Sequence, residues 1–304
     1  MSQPTMREPL DAETLESVLA EIARQILDHG LGSVGTFGQW GCTSICVELC
    51  PERVHDVIHA GACRIAVATP DASSVGGLAR YIDHTLLRPD ATKAEIDKLC
   101  HEALRHRFAS VCVNGSWVKR CAEILAGSGV AVCSVIGFPL GAMASEVKVY
   151  EARRAIEDGA CEIDMVMNVG AHRSGEFDFV RRDIAGVADV CHKLGARLKV
   201  ILETALLDDA QKVRACELAQ QAGADFVKTS TGFSKGGATA ADVALMRRVV
   251  GPTMGVKAAG GVRDLEGLQA MVAAGASRVG ASAGVKIVQQ ARGEQPRSAA
   301  TSGY

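Results

Sequence analysis

Aromatic residues are scarce in this chain, at 4% of its 304 residues, and net charge is nearly absent: 33 basic residues against 35 acidic ones leave −2 at pH 7. The first shortage argues against a nucleic-acid reader built on stacked rings. The second leaves no basic surplus for a phosphate backbone, so any anionic ligand must be met locally. No apolar run approaches the roughly 20 residues a membrane span needs. No apolar h-region opens the chain, so no signal peptide is expected. No GxGxxG follows the first candidate strand, which weakens an open dinucleotide-binding sheet. Neither a nucleic-acid nor a membrane partner is expected.

The rest of the composition is that of an ordinary globular protein, 48% hydrophobic and 22% charged. Most of the eleven cysteines stand singly in apolar runs, as Cys112, Cys133 and Cys161 do. They read as reduced thiols used as small hydrophobes, which suits a cytoplasmic protein.

From about Leu78 short apolar strands alternate with helical stretches. Candidate strands are 81–85, 109–114, 130–137, 162–168, 198–204, 226–231, 255–260 and 278–282. Amphipathic segments lie between them, notably 179–194, 209–222 and 264–274, and Gly159, Gly195, Gly223 and Gly275 stand where helices stop. Eight strand–helix units in series predict a parallel sheet, and the count predicts an α/β fold of the closed (β/α)₈ TIM-barrel type, which needs about 250 residues. The domain expected over 78–291 is followed by a flexible tail, 292–304.

Alternation along the strands places Leu198, Val200 and Leu202 on one face, with Lys199, Ile201 and Glu203 on the other. Likewise Ile163, Met165 and Met167 oppose Glu162, Asp164 and Asn168. The apolar faces should pack outward on helices, leaving charged groups inside the barrel. A barrel core is ordinarily filled by branched apolar residues, so inward carboxylates and amines mark a site.

Lys199, Lys228 and Lys257 each sit in a candidate strand, one repeat apart, with Asp164 one strand earlier. A free lysine, pKa about 10.4, is deprotonated to only a few parts in ten thousand at pH 7. Lowering a lysine to about 7 takes roughly 4–5 kcal/mol of differential destabilisation of its ammonium form. A second ammonium nearby and partial desolvation can supply that. The resulting amine attacks a carbonyl and forms an iminium, an electron sink for carbon–carbon cleavage. Asp164 is placed to shuttle protons, through an ordered water. On spacing alone Lys199 and Lys228 both remain candidates for the nucleophile.

The segments FVKTSTG (226–232) and GVKAAGGVR (255–263), with YIDHTLL (81–87), VCVN (111–114), VIGFPLG (135–141), EIDMVMN (162–168) and KVILET (199–204), closely resemble the deoxyribose-phosphate aldolase family. The resemblance runs from about Leu78 to Val288. It implies a class I aldolase that uses no cofactor and no metal and cleaves 2-deoxy-D-ribose 5-phosphate reversibly to D-glyceraldehyde 3-phosphate and acetaldehyde. It implies Lys228 as the Schiff-base lysine, Lys257 as the lysine that perturbs it and Asp164 as the proton-relay acid. Lys199, Cys112, Asp83 and Thr85 would line the pocket.

Gly232, the Gly260–Gly261 pair and Gly280-Ala281-Ser282 follow the last three strands. Small residues there let backbone N–H groups approach an anion, and they match the family's phosphate loops. Some family members carry a basic residue where Phe233 stands, although Lys235 and Arg263 are nearby. Some also end in a small-residue tail whose terminal tyrosine reaches the site, the role that Tyr304 would take. A homo-oligomer, dimer or tetramer, is expected.

Residues 1–77 extend beyond the family pattern. Leu15, Val18, Leu19, Ile22 and Ile26 make one stripe on a helix 11–27. It reads either as packing on the barrel or a subunit, or as a docking tag. In the second reading it resembles helices that direct enzymes into bacterial microcompartments, with a shell protein as partner. Cys42, Cys46 and Cys50 lack the x₂ spacing of zinc ribbons or ferredoxins and read as an apolar stripe. Another Schiff-base aldolase for a different sugar phosphate, and a non-catalytic scaffold, are the rival readings.

Overall fold

The computed structural model describes residues 74–294. The extension helix 11–27, the Cys42/Cys46/Cys50 group and Tyr304 lie outside the described residues. Eight parallel strands close into a barrel in chain order. They are β1 (Ile82–Leu86), β2 (Ser110–Val113), β3 (Ala131–Ile136), β4 (Glu162–Val166), β5 (Arg197–Ile201), β6 (Phe226–Lys228), β7 (Gly255–Ala259) and β8 (Arg278–Ala281). The ring is closed by β1 against β8, with Asp83 beside Gly280. All eight expected strands are present, and most end before the predicted C-terminal limit.

The helices are α1 (Val75–Ala79), α2 (Lys93–His106), α3 (Val118–Leu125), α4 (Ser145–Glu157), α5 (Val169–Arg173), α6 (Phe177–Lys193), α7 (Asp209–Gln221), α8 (Ala240–Val250), α9 (Leu265–Ala273) and α10 (Gly284–Ala291). Their starts are written in the chain. Asp208 accepts the Gln211 backbone N–H at 2.8 Å while Gln211 accepts that of Asp208 at 3.1 Å, a capping box that opens α7. Asp264, read as a helical residue, is instead the N-cap of α9. Gly159, Gly195, Gly223 and Gly275 follow the ends of α4, α6, α7 and α9 with φ between 77° and 106°. That left-handed region stops a helix at little cost only for glycine.

Alternation holds as expected. Ile163, Met165, Leu198, Val200, Val227 and Val256 are buried in the main core between sheet and helices. Each contributes about 1.5–3 kcal/mol by leaving water. Cys112, Cys133 and Val135 face inward with Leu87, and Phe138 packs on them, as a second, smaller apolar cluster. Charged side chains, Asp83, Glu162, Asp164, Lys199, Lys228, Lys257 and Arg278, occupy further inward positions. Two expectations for the inward faces differ in detail. Asn168 lies past β4 and caps α5, its side-chain oxygen accepting the Ala171 N–H at 3.0 Å. Glu203 lies past β5, in left-handed backbone with φ 57°, and its side chain bonds Thr231.

Candidate active site

Strand register explains how the three lysines differ. Lys228 and Lys257 are paired on β6 and β7, so their side chains enter the barrel at one level. Lys199 is paired with Phe226, two residues before Lys228, and enters one layer deeper. All three converge on Asp164 of β4. Its Oδ2 accepts from Lys228 Nζ at 2.8 Å and from Lys257 Nζ at 2.7 Å, and its Oδ1 from Lys199 Nζ at 2.8 Å. Below, Lys257 meets Asp83 at 2.5 Å and Lys199 meets Glu162 at 2.7 Å. Arg278 of β8 joins these two carboxylates, at 2.7 Å from Asp83 and 2.6 Å from Glu162.

Four cations, Lys199, Lys228, Lys257 and Arg278, thus share three carboxylates, Asp83, Glu162 and Asp164, all buried. Burial alone would raise the Asp164 carboxyl. The ammonium groups of Lys199, Lys228 and Lys257 outweigh it and hold Asp164 well below the usual carboxylate range. Burial likewise opposes the charge on Lys257, yet Asp164 and Asp83 hold it well above the ordinary lysine value. Lys257 is therefore a fixed cation, paired in register with Lys228. Lys199 is raised in the same way, against burial, by Asp164, Cys133 and Glu162. The Cys133 thiol donates to Asp164 Oδ1 at 3.0 Å. Burial pushes Cys133 well above the usual thiol value, whereas its hydrogen bond to Cys112, with Lys257 and Lys228 nearby, draws Cys112 down.

A cavity of about 300 Å³ opens above this network, at the C-terminal end of the barrel. That volume suits a small metabolite. Of the three strand lysines only Lys228 lines it. Thr85, on β1 beside the end of β8, also lines it, as do Gly232, Gly260, Gly261, Gly280 and Ser282. Asp164, Lys257, Lys199, Cys112 and Asp83 are not among the lining residues; they form the buried floor, each no more than 1% exposed at the side chain or residue level. From this floor Asp164 meets Lys228 directly.

The wall of glycines is built by close backbone approach. The Ala238 N–H donates to the Gly260 carbonyl at 3.0 Å, and a Cβ on Gly237 would collide with that same carbonyl. Gly232, Gly260 and Gly261 have φ of 84–86°. Ser234, Lys235 and Arg263 complete this side. Neither Lys235 nor Arg263 takes part in an ion pair among the described residues.

Sequence reasoning gave no role to Arg278 or Cys133, and read Glu162 only as one of the inward carboxylates that mark a site. Parity was the available signal for Arg278, which stands two residues from the inward position Gly280. Cys133 looked apolar because its neighbours are, and only its register beside Cys112 on β2 gives it a polar task. Cys112, Cys133 and Asp164 also place one donor atom each within 4.8 Å of one another, a spacing that could hold a metal ion. Both Asp164 oxygens there already face ammonium groups, which repel a cation.

The network sets the acid limit of the fold. Burial opposes ionisation of Glu162, but Arg278 and Lys199 lower it from 4.5 to about 2. Asp83 and Asp164 are lowered too. The unfolded chain therefore binds more protons than the folded one between about pH 2 and pH 4.5, and stability falls as pH falls through that window. Tm is expected to be level from about pH 5 to pH 8 and to drop below about pH 4. In Glu162→Gln the acid drop should be shallower. Thermal melts followed by circular dichroism check this; an identical acid drop in the variant would remove Glu162 from the account.

The description DeoC/LacD family aldolase matches residues 78–290. The deoxyribose-phosphate aldolase of Brevibacillus brevis is 62% identical over 213 residues, 70% of this chain and 96% of the relative. That of Geobacillus sp. strain WCH70 is 60% identical over 212 residues, 70% and 95%. The solved deoxyribose phosphate aldolase from Aeropyrum pernix, described as tetrameric, superposes with a TM-score of 0.68 at 35% identity, covering 78% of this chain and 97% of that one. A closed eight-strand barrel with a lysine–aspartate floor, matched at this identity over nearly the whole of its relatives, places the chain in the DeoC/LacD family of aldolases.

Proposed function

We propose that the enzyme cleaves 2-deoxy-D-ribose 5-phosphate reversibly to D-glyceraldehyde 3-phosphate and acetaldehyde, through a Schiff base on Lys228. One observation carries the residue assignment: Lys228 alone among the three strand lysines faces the cavity. The free amine attacks C1 of the open-chain sugar, and the carbinolamine loses water to give the iminium. Breaking C2–C3 sends the electron pair into the iminium, leaving an enamine while the C3 hydroxyl gives up its proton. Protonation at C2 and hydrolysis release acetaldehyde and restore Lys228.

Asp164, kept ionised, stabilises the cationic iminium and relays protons at the carbinolamine. Lys257 holds Asp164 in place and keeps a second positive charge beside the reacting nitrogen. The glycine wall, with Lys235, Arg263 and Ser282, takes the 5-phosphate. Backbone N–H groups and two cations without an ion pair among the described residues supply the positive field there. The identity of the chemistry is tested by a coupled assay for both products with purified protein, before and after dialysis against a chelator. Unchanged turnover is expected; a loss restored by zinc would point to metal-dependent chemistry.

The glycine wall makes a second prediction. Gly237→Ala puts a methyl group into the Gly260 carbonyl, so the loops after β6 and β7 must separate. KM for the phosphorylated sugar should rise about tenfold, near 1.4 kcal/mol of binding, with kcat little changed. Steady-state kinetics decides it, and an unaltered KM would move the phosphate elsewhere.

Tyr304 is proposed to reach this site, and removal of residues 298–304 should then slow proton exchange at C2 of acetaldehyde. Homo-oligomerisation is proposed on the precedent of the tetrameric Aeropyrum pernix relative. The docking role of residues 11–27 is tested by fusing residues 1–30 to a fluorescent protein. Absence of co-purification with shell proteins would end that proposal.

A further inference from the structure

Past the end of β5 the chain keeps pairing with β6, but out of step. Leu202 N–H donates to the Lys228 carbonyl and Thr204 N–H to that of Thr229, both at 2.9 Å. Two residues advance on one side against one on the other, the count of a β-bulge. Glu203 is the extra residue. It is not glycine, yet its φ is 57° and ψ 61°, a left-handed conformation that costs a side-chain-bearing residue energy. Such strain persists where the surroundings enforce it, and it gathers at functional sites.

The bulge seats the side chain on the loop after β6. Its Oε2 accepts the Thr231 hydroxyl at 2.5 Å and the Thr231 N–H at 3.3 Å. The Thr231 Oγ1 in turn accepts the Phe233 N–H at 3.0 Å. Glu203 is 4% exposed, and its Oε1 has no hydrogen-bond partner among the described residues. The buried Glu203 side chain is thus devoted to one loop: both its hydrogen bonds go to Thr231, which in turn holds Phe233. That loop begins one residue after Lys228 and supplies Thr231 and Gly232 to the cavity. On its other side Thr229 is tied to the end of β7, its Oγ1 donating to the Ala259 carbonyl and accepting the Ala259 N–H, both at 3.1 Å.

We propose that Glu203 is a positioning residue: its carboxylate, turned by the bulge, clamps Thr231 and so holds the loop after β6 in the shape that receives the substrate's phosphate. Glu203 touches neither the reacting carbonyl nor Lys228. It acts through Thr231. The proposal rests on the phosphate reading of the glycine wall given above.

The test measures two quantities in the full-length enzyme: inhibition by inorganic phosphate, and the ratio of kcat/KM for 2-deoxyribose 5-phosphate over 2-deoxyribose. Glu203→Gly removes the carboxylate and keeps the left-handed backbone that glycine favours. Thr231→Val removes the hydroxyl at nearly constant shape, and Thr231→Ser restores it. In Glu203→Gly and Thr231→Val the ratio is expected to fall at least tenfold and phosphate inhibition to weaken by a similar factor. Thr231→Ser should stay within threefold of wild type, and the Glu203→Gly/Thr231→Val double variant should lose no more than either single one. If both substrates slow equally and phosphate inhibition is unchanged, Glu203 does not position the phosphate loop, while the phosphate reading stands. If wild type neither responds to phosphate nor prefers the phosphorylated sugar, the phosphate reading fails and this proposal with it. Should Glu203→Gly not fold, the same comparison between Thr231→Val and Thr231→Ser decides.

Discussion

Replacing Lys228 with alanine is expected to lower kcat for deoxyribose-phosphate cleavage by about 10⁴-fold or more, because the covalent route disappears and no neighbour can take its place. Lys199 and Lys257 are chemically identical amines within the same network, so the expectation rests on geometry. Lys257 is bound between Asp164 and Asp83 at 2.7 and 2.5 Å, and Lys199 between Asp164 and Glu162 at 2.8 and 2.7 Å. Neither reaches the cavity wall. The Lys228→Ala protein should remain folded, since Asp164 keeps its contacts with Lys199 and Lys257. Residual turnover within a hundredfold of wild type would mean that another lysine forms the iminium.

Asp164→Asn is expected to have the second largest effect, and on two quantities together. The carboxylate accepts from three ammonium groups, and the neutral amide leaves four cations facing only Asp83 and Glu162. Breaking a buried ion pair from one side costs roughly 3–5 kcal/mol. Turnover should fall by about 10²–10⁴-fold, the range for a lost proton-transfer group. The two losses can be separated by measuring kcat well below the variant's Tm. A variant as stable as wild type would show that Asp164 does not hold the floor together. One with wild-type kcat would show that it relays no proton.

Much of this was written in the chain. Eight apolar strands at βα spacing, with helices stopped by Gly159, Gly195, Gly223 and Gly275, define a barrel without further help, because each glycine takes the left-handed conformation that ends a helix. Period-two alternation placed Asp164 and Lys199 inside. Depth within the barrel was not legible, because alternation tells inward from outward but not high from low. Only the pairing of Lys199 with Phe226 puts that lysine beneath Lys228. The same limit hid why Cys112 and Asp83 form floor rather than wall. The partner of Glu203 was not legible for another reason: alternation assumes regular pairing, and a single bulge after Ile201 breaks it. The strand predicted to run to Thr231 stops at Lys228, past which the pairing with β5 slips: the Thr204 N–H donates to the Thr229 carbonyl, where a regular ladder would reach residue 230.

The central claim is that the reacting lysine is the one facing the cavity. Borohydride reduction in the presence of acetaldehyde, followed by intact mass and peptide mapping, tests it most directly. The account predicts a reduced two-carbon adduct on Lys228, absent from Lys228→Ala. An adduct on Lys199 or Lys257, or none on folded wild-type protein, would contradict it.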